Sequence, residues 1–210
     1  MIDLYSWTTP NGRKVSIMLE ECGLAYETHS IDITTNKEQF EPSFLKISPN
    51  NRIPAIVDRE NGQSLMESGA ILLYLAEKTG KFLSTDATTR WQTIEWLMWQ
   101  MGGLGPMAGQ THHFVKFNKG AAPYAEERYV NETKRLYGVL DKQLADRDYI
   151  AGDYSIADMS VWPWISRFEW QTVDLNEFAN VKRWYIDIAG RDAVQKGYHV
   201  PKFTTDIPMP

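Results

Sequence analysis

The residues best suited to chemistry lie in the turn Thr8-Thr9-Pro10-Asn11-Gly12, where a short strand passes into an amphipathic helix. A helix N-terminus presents unpaired N–H groups and a partial positive charge, so it favours an anion, including a thiolate. The hydroxyl of Thr9 and the amide of Asn11 can donate to sulfur, but neither can attack a disulfide. Both residue types are also favoured helix caps, so a purely structural role stays open.

Two further segments place polar groups beside predicted strands. Pro54 stands at the mouth of an apolar strand, where it is either an ordinary strand-entry proline or the marker of a cis bond. With a cis bond, Ile53 would offer its N–H and C=O to a peptide-like ligand. At a second strand-to-helix junction, Glu67 suits a ligand ammonium and Ser68 suits a carboxylate. Simple helix capping by Ser68 is the alternative there.

These segments require a small mixed sheet to position them. In chain order, the periodicities predict a strand, a helix, a strand, a short connection, two strands joined by a turn, and a helix. These elements cover residues 2–6, 11–23, 26–33, 40–47, 53–57, 64–67 and 68–80. The first eighty residues therefore follow the pattern βαβ-ββα.

Beyond residue 84 the sequence shows helical periodicity and no convincing strand. A glycine-rich break or kink at residues 102–106 separates two predicted helices, and Ser155 and Asp158 form a capping-box pattern that we interpret as structural. The predicted helices cover residues 91–101 and 124–144, begin again at 155, and end with 178–188, before an extended tail. We predict two domains, α/β over residues 1–83 and all-α over residues 88–210.

Composition restricts the classes of function. The 210 residues include 22 basic and 27 acidic side chains, a formal net charge of -5, which argues against a nucleic-acid partner. No apolar run is long enough to cross a bilayer, and no secretory signal is recognisable, so no membrane partner is expected. A single cysteine excludes an internal disulfide and fits a reducing compartment, so we expect a cytoplasmic protein.

Three other side chains with reactive potential are interpreted as structural. Cys22 lies on the apolar stripe of the first helix, where buried cysteines usually behave as small hydrophobic residues. His112 and His113 have no companion Cys or paired carboxylate at ligand spacing. We therefore predict no metal site.

Three motifs, in this order and spacing, resemble the glutathione transferase superfamily: the I-P-A-I strand, the helix start E-S-G-A-I-L-L-Y-L, and the S-I-A-D box. The resemblance spans nearly the whole chain. More narrowly, the sequence is similar to the bacterial Nu-class transferases, which are glutathione-dependent disulfide-bond reductases, and to fungal nitrogen-regulator proteins with a transferase-like domain. The stretches that carry this similarity are T-P-N-G-R-K-V, I-S-P-N-N-R-I-P-A-I-V-D and W-Q-M-G-G-L-G-P-M.

The resemblance implies a glutathione transferase fold: a thioredoxin-like α/β N-terminal domain that binds glutathione, and an all-α C-terminal domain that supplies the second-substrate pocket and dimer contacts. Carried over residue by residue, it implies that Ile53 pairs with the cysteinyl backbone of glutathione across a cis Pro54. Glu67 and Ser68 would hold the γ-glutamyl end.

Five further residues receive roles from the same resemblance. Gln39 and Arg52 would lie toward the glycyl end of glutathione, and Thr9 and Asn11 would face its sulfur. Arg128 matches a Nu-class arginine that reaches the glutathione site from the partner subunit, which implies a homodimer.

Thr9 and Asn11 stand where many transferases aim a tyrosine, serine or cysteine at the sulfur, and this pattern favours disulfide reduction. Glutathione, as one or two molecules or as its disulfide, would supply the sulfurs, and the partner would be a small-molecule disulfide or electrophile. Conjugation or ether cleavage of an aromatic electrophile stays open, as does a non-catalytic glutathione-binding regulator. A dithiol oxidoreductase is excluded because Cys22 is alone.

Overall fold

A four-stranded mixed sheet organises the first part of the chain. The computed structural model describes all residues from Met1 to Pro210. The strands are β1 (Ile2–Ser6), β2 (Tyr26–Ser30), β3 (Ala55–Asp58) and β4 (Gln63–Met66), in the spatial order β2-β1-β3-β4. β1 is parallel to β2, and β3 is antiparallel to both β1 and β4.

Helices connect β1 to β2 and β2 to β3, and a further helix follows β4. They are α1 (Pro10–Cys22), the short α2 (Pro42–Leu45) and α3 (Ser68–Thr79), with a 3₁₀ turn at Glu38–Phe40. The apolar stripe of α1 is buried, with Val15, Met18 and Leu19 fully inaccessible, as its helical spacing predicts. The observed order, β-α-β followed by β-β-α, confirms the predicted thioredoxin-like arrangement.

The remainder of the chain is helical, which confirms the second part of the predicted fold. Its helices are α4 (Ala87–Trp99), α5 (Gly105–Thr111), α6 (Pro123–Gln143), α7 (Ile156–Ile165), α8 (Ala179–Ala189) and α9 (Asp192–Tyr198). None of them is both long enough and apolar enough to span a bilayer.

The glycine-rich segment between α4 and α5 does not interrupt the helix as a break would. Residues Gln100–Leu104 form a π-helical turn, and the helical path continues into α5. A π turn accommodates an additional residue, so Pro106 can enter at the first turn of α5 without a break in the chain direction. Gly105 is needed at this point because a Cβ there would lie 2.6 Å from Gln100 Nε2 and 3.2 Å from Gln100 O.

The capping box at the start of α7 is confirmed. Ser155 is the N-cap, its Oγ accepts from the N–H of Ala157, and the carboxylate of Asp158 accepts from the N–H of Ser155. The same carboxylate also accepts from the N–H of Ile150 at 3.0 Å and from Trp184 Nε1 at 2.8 Å. Asp158 therefore joins α7, α8 and the preceding loop, in addition to starting a helix.

The chain divides into two compact units, Met1–Lys81 with Gly190–Ile207, and Phe82–Ala189 with Pro208–Pro210. The first crossing falls close to the predicted boundary at residues 83–88. The C-terminal segment differs from our expectation, since α9 and the residues after it pack with the α/β unit. As independently folding domains, 1–83 and 88–210 stay a prediction.

Close packing of α9 on α1 accounts for this difference. Ser16 Oγ donates to the carbonyl of Gly197 at 2.6 Å, and Arg13 Nε donates to the carbonyl of Tyr198 at 3.0 Å. A Cβ at Gly197 would lie 2.7 Å from the backbone of Ile17, so only glycine permits this approach. These long-range contacts leave no periodic signal in the sequence, which explains why α9 was not predicted.

Candidate active site

The sheet topology gathers three predicted site segments at one edge. Tyr5 pairs with Ala55 across antiparallel β1 and β3, so the end of β1 lies beside the start of β3. Ala55 pairs with Met66 across antiparallel β3 and β4, which brings the end of β4 to the same place. The segments that follow or precede these ends are residues 7–11, 51–54 and 67–68. Helices α1 and α3 both begin at this edge, and the N-terminus of each favours a bound anion.

Thr9 is the N-cap of α1, and its Oγ1 accepts from the N–H of Gly12 at 3.2 Å. A hydroxyl has two acceptor lone pairs and one donor hydrogen, and the cap uses only an acceptor. The capping role and the proposed role toward sulfur are therefore compatible, because the O–H of Thr9 can still donate. Asn11, the second residue of α1, is half-buried.

The turn that holds Thr9 is tightly constrained. The N–H of Thr9 donates to the carbonyl of Trp7 at 2.7 Å. A Cβ at Gly12 would lie 2.3 Å from that carbonyl and 2.5 Å from Ser6 Oγ, so this close approach requires glycine. The donors of the turn are thus held in place before any ligand arrives, a property that favours electrostatic stabilisation of a bound anion.

The Ile53–Pro54 peptide bond is cis, as the resemblance implied. Ile53 is half-buried and lies two residues before β3, outside the paired register of the sheet. Arg52 is exposed, and its Nη1 donates to the carbonyl of Asn51 at 3.2 Å. Gln39 lies in the 3₁₀ turn, and its Oε1 is buried without a hydrogen-bond partner. An unsatisfied buried acceptor of this kind is expected to have a function or a missing partner.

At the start of α3 the structure rules out the alternative of simple capping by Ser68. Ser68 does not cap the helix: Glu67 occupies the N-cap position, with no side-chain capping bond, and Ser68 is the first helical residue. Ser68 is buried, and its Oγ accepts from Lys14 Nζ at 3.3 Å. Glu67 is exposed and has a positive φ of 69°, a conformation that costs a non-glycine residue energy and is found disproportionately at ligand sites.

Lys14 is a site residue that sequence reasoning missed. It is fully buried, and burial lowers its pKa to about 7, while the negative charge of Glu67 acts in the opposite direction. A signal was present, since Lys14 lies four residues before Met18 on the same helical stripe, where an apolar residue is expected. A lysine in a core position indicates that the interior needs a cation there.

Arg128 lies on the second unit, where it is exposed on α6. It lines a surface cavity of about 600 Å³ together with residues of α5 and α6, namely Met107, Tyr124, Glu127, Tyr129, Asn131, Glu132 and Arg135. Its role toward a partner subunit stays a prediction.

The environment of Cys22 agrees with a structural interpretation. Its side chain is 8% exposed, its Sγ lies 3.6 Å from Thr79 Oγ1, and burial raises the pKa of the thiol. A raised pKa reduces the thiolate fraction, so Cys22 is a poor nucleophile.

The two histidines occupy different environments. His112 is buried and stacked on Trp164 with ring centroids 5.7 Å apart, and burial lowers its pKa to about 4, so the ring is neutral near pH 7. His113 is exposed. His112 is therefore a packed core residue of the second unit.

A cluster of Asp3, Glu27 and His29 was not predicted, and its ligand atoms lie within 4.8 Å of one another. Arg59 already occupies it, donating to both carboxylates. Mainly through this contact, the pKa of Asp3 falls to about 2. The guanidinium of Arg59 supplies the positive charge that a metal ion would bring to these carboxylates.

A thioredoxin-like unit with a cis-proline edge and two anion-favouring helix N-termini, joined to a helical unit, is the architecture of glutathione transferases. Family models for the glutathione S-transferase N-terminal domain and C-terminal domain match residues 8–78 and 104–192. The chain belongs to the glutathione transferase family.

Individual relatives are similar over nearly the whole chain. The disulfide-bond oxidoreductase YfcG of Escherichia coli is 51% identical over 199 residues, which are 92% of each protein. A glutathione transferase from Pseudomonas putida, crystallised with one glutathione disulfide bound per subunit, is 48% identical with a TM-score of 0.90, covering 95% of this chain and 91% of its own. A Burkholderia graminis transferase with two glutathione molecules per subunit is 46% identical with a TM-score of 0.90, covering 96% and 88%. The predicted resemblance to fungal regulators is confirmed by matches to URE2 proteins.

Proposed function

We propose that this protein binds glutathione, activates its thiol as a thiolate, and uses it to reduce disulfide bonds. The observation that carries the proposal is Thr9. Its hydroxyl caps α1 as an acceptor and keeps its hydrogen for a sulfur anion, in a turn that contains no cysteine. Support from relatives comes from the name of YfcG and from the glutathione disulfide in the P. putida enzyme.

The charges at the sheet edge match those of glutathione, which has a thiol, an ammonium group and two carboxylates. Exposed Glu67 suits the ammonium group, and Ser68 with the N–H groups of α3 suits the adjacent carboxylate. The backbone of Ile53, outside the sheet register, suits the cysteinyl residue as an added strand would.

The glycyl end of glutathione would lie toward Arg52 and Gln39. The exposed guanidinium of Arg52 suits a second carboxylate, and the buried Oε1 of Gln39 would receive an N–H of the peptide. Thr9 and Asn11 would face the sulfur. In this proposal each predicted residue of the α/β unit would have a partner in one tripeptide, except Pro54, whose cis bond would present the backbone of Ile53.

The reaction is an exchange between thiolate and disulfide. The thiolate of one glutathione attacks a substrate sulfur, the S–S bond breaks, and the other half leaves as a thiolate that takes up a proton. A second glutathione thiolate attacks the mixed disulfide, giving glutathione disulfide and the second substrate thiol. The two glutathione thiols supply both electrons, so the protein needs no redox cysteine.

The test compares two reactions of the same protein, glutathione-dependent reduction of 2-hydroxyethyl disulfide and conjugation of a chlorinated nitrobenzene. We expect rapid disulfide reduction and slow conjugation. Cys22→Ala should keep both rates, since its thiol is buried with a raised pKa. Faster conjugation than reduction would instead support the aromatic-electrophile alternative, and glutathione binding with neither reaction would support a binding protein.

We further propose that the protein is a cytoplasmic homodimer in which Arg128 contacts glutathione bound to the partner subunit. Exposed side chains on α4 and α6 support an interface: Trp91 is 67% exposed and Tyr124 is 78% exposed. We expect a dimer mass in sedimentation at micromolar concentration, and Arg128→Ala should weaken glutathione binding. A monomer at all concentrations would contradict both the homodimer and the contact of Arg128 with the partner's glutathione.

A further inference from the structure

Trp7 lies two residues before Thr9 and belongs to the same turn. Trp7 is half-buried, and its backbone is fixed because its carbonyl accepts from the N–H of Thr9 and closely contacts Gly12. Two residues separate these Cα atoms by at most about 7 Å. The backbone of Trp7 therefore borders the place where a sulfur facing Thr9 would lie.

Lys202 covers the indole of Trp7, with its Nζ 3.9 Å from the ring centroid. The tail that carries it is attached to α1 on both sides of the lysine. Arg13 Nε donates to the carbonyl of Tyr198 at 3.0 Å, and Arg13 Nη2 donates to Thr204 Oγ1 at 3.3 Å. Arg13 is fully buried, and its backbone N–H donates to the carbonyl of Thr9. The same residue therefore contacts both the turn that holds Thr9 and the tail that carries Lys202.

The charge of Lys202 is available to a ligand. Lys202 is exposed and forms no ion pair. Asp32 is close enough to sense this charge, but hydrogen bonds from Thr34 and Thr35 are the larger causes of its lowered pKa. The carboxylate is thus engaged in its own turn. Lysine on an aromatic face, in a fixed tail, offers an ammonium group for a second anion beside the thiolate site.

We propose that Lys202, placed on Trp7, binds a carboxylate on the half of the disulfide that leaves, and so makes the protein selective for anionic disulfides, mixed disulfides of glutathione among them. This inference rests on the proposed disulfide reduction and adds the substrate class. Lys202 is a specificity residue: it attracts the acceptor and takes no part in the transfer of electrons.

The test uses three disulfides of similar size and different charge: 3,3′-dithiodipropionate with two carboxylates, neutral 2-hydroxyethyl disulfide, and cystamine with two ammonium groups. For Lys202→Gln we expect kcat/KM for dithiodipropionate to fall roughly three- to tenfold, mostly through KM, because a partly exposed charged contact is lost. The neutral disulfide should change less than about twofold by the same reasoning. Lys202→Arg should retain the preference, and Lys202→Glu should shift it toward cystamine.

Lys196→Gln is the matched control, because it removes an exposed lysine of the same unit, on α9. It should leave all three rates unchanged. Added salt should reduce the wild-type preference for dithiodipropionate, since exposed charges are screened. An equal loss with all three disulfides would show that Lys202 only supports the fold, and no loss with any would also overturn the inference.

A binding measurement separates this inference from the proposed function. By calorimetry, Lys202→Gln should weaken glutathione disulfide while the affinity for reduced glutathione stays the same. If the wild type reduces no disulfide, the proposed function fails, and the calorimetric comparison still decides whether Lys202 binds the second anion.

Discussion

Replacing Thr9 with alanine is expected to lower glutathione-dependent disulfide reduction by roughly a hundredfold, the usual effect of removing one fixed donor from a developing or bound anion. In the proposed complex the hydroxyl of Thr9 is one of two side-chain donors near the start of α1, the amide of Asn11 being the other. Without the Thr9 hydroxyl the thiol pKa of bound glutathione rises, and less thiolate is present at neutral pH. The loss should therefore be smaller at high pH, where the thiolate forms without help.

The difficulty with Thr9→Ala is that it also removes a helix cap, worth about 1 kcal/mol. Thr9→Asp separates the two roles. Aspartate is a good N-cap, so stability should be retained, but it has no hydrogen to donate and its charge repels a thiolate. Thr9→Ser preserves both the acceptor and the donor and should stay close to wild type.

These variants are compared through pH–rate profiles and the ultraviolet absorbance of the bound thiolate, with Thr8→Ala as the control for loss of a neighbouring hydroxyl. We expect the apparent thiol pKa to rise in Thr9→Ala and Thr9→Asp alone. An active Thr9→Asp enzyme with an unshifted profile would show that Thr9 serves the helix and not the sulfur.

Asp158→Ala is expected to have the largest effect on stability, a loss of about 3–5 kcal/mol in the free energy of unfolding. Four donors point at this fully buried carboxyl group: the N–H groups of Ile150 and Ser155, Ser155 Oγ, and Trp184 Nε1. Alanine would leave all of them without their acceptor inside the second unit. Burial raises the pKa of Asp158 to about 6, although each of these hydrogen bonds acts to lower it.

Urea unfolding measures this loss, with Asp153→Ala as the control because Asp153 is exposed five residues away. The loss of unfolding free energy for Asp158→Asn should fall between those for Asp158→Ala and Asp153→Ala. The amide keeps an acceptor for Ile150 and Trp184 but turns a donor toward the N–H of Ser155. A change below about 1 kcal/mol in Asp158→Ala, the worth of an ordinary cap, would mean that the contacts to Ile150 and Trp184 contribute little.

Short-range patterns in the sequence correctly predicted the elements that short-range interactions determine. The alternation in β1, the apolar stripe of α1 and the capping box of Ser155 and Asp158 all follow from periodicity or from short hydrogen-bonded motifs. The strand ends were also predicted, and the structure brings the three segments beside them, residues 7–11, 51–54 and 67–68, to one edge of the sheet. Their roles toward a ligand stay a prediction.

What local patterns could not give are the contacts between residues far apart in the chain. For Ser68, helix capping stayed open as an alternative to ligand binding, because its observed partner, Lys14, comes 54 residues earlier. The attachment of the C-terminal segment to Arg13 spans 185 residues. The hydrogen bond from Trp184 Nε1 to Asp158 depends on how α7 and α8 pack, which no short motif in the sequence records.

The backbone conformation of Glu67 lowers the stability of the protein at a residue that we propose binds the ligand. At a φ of 69° a side chain costs on the order of 1 kcal/mol, whereas glycine would adopt the same conformation freely. A protein optimised for thermal endurance alone would have glycine at this position. The sequence has a carboxylate there instead. Substitutions meant to raise the thermal stability of this protein should therefore avoid residue 67 and be placed in the second unit.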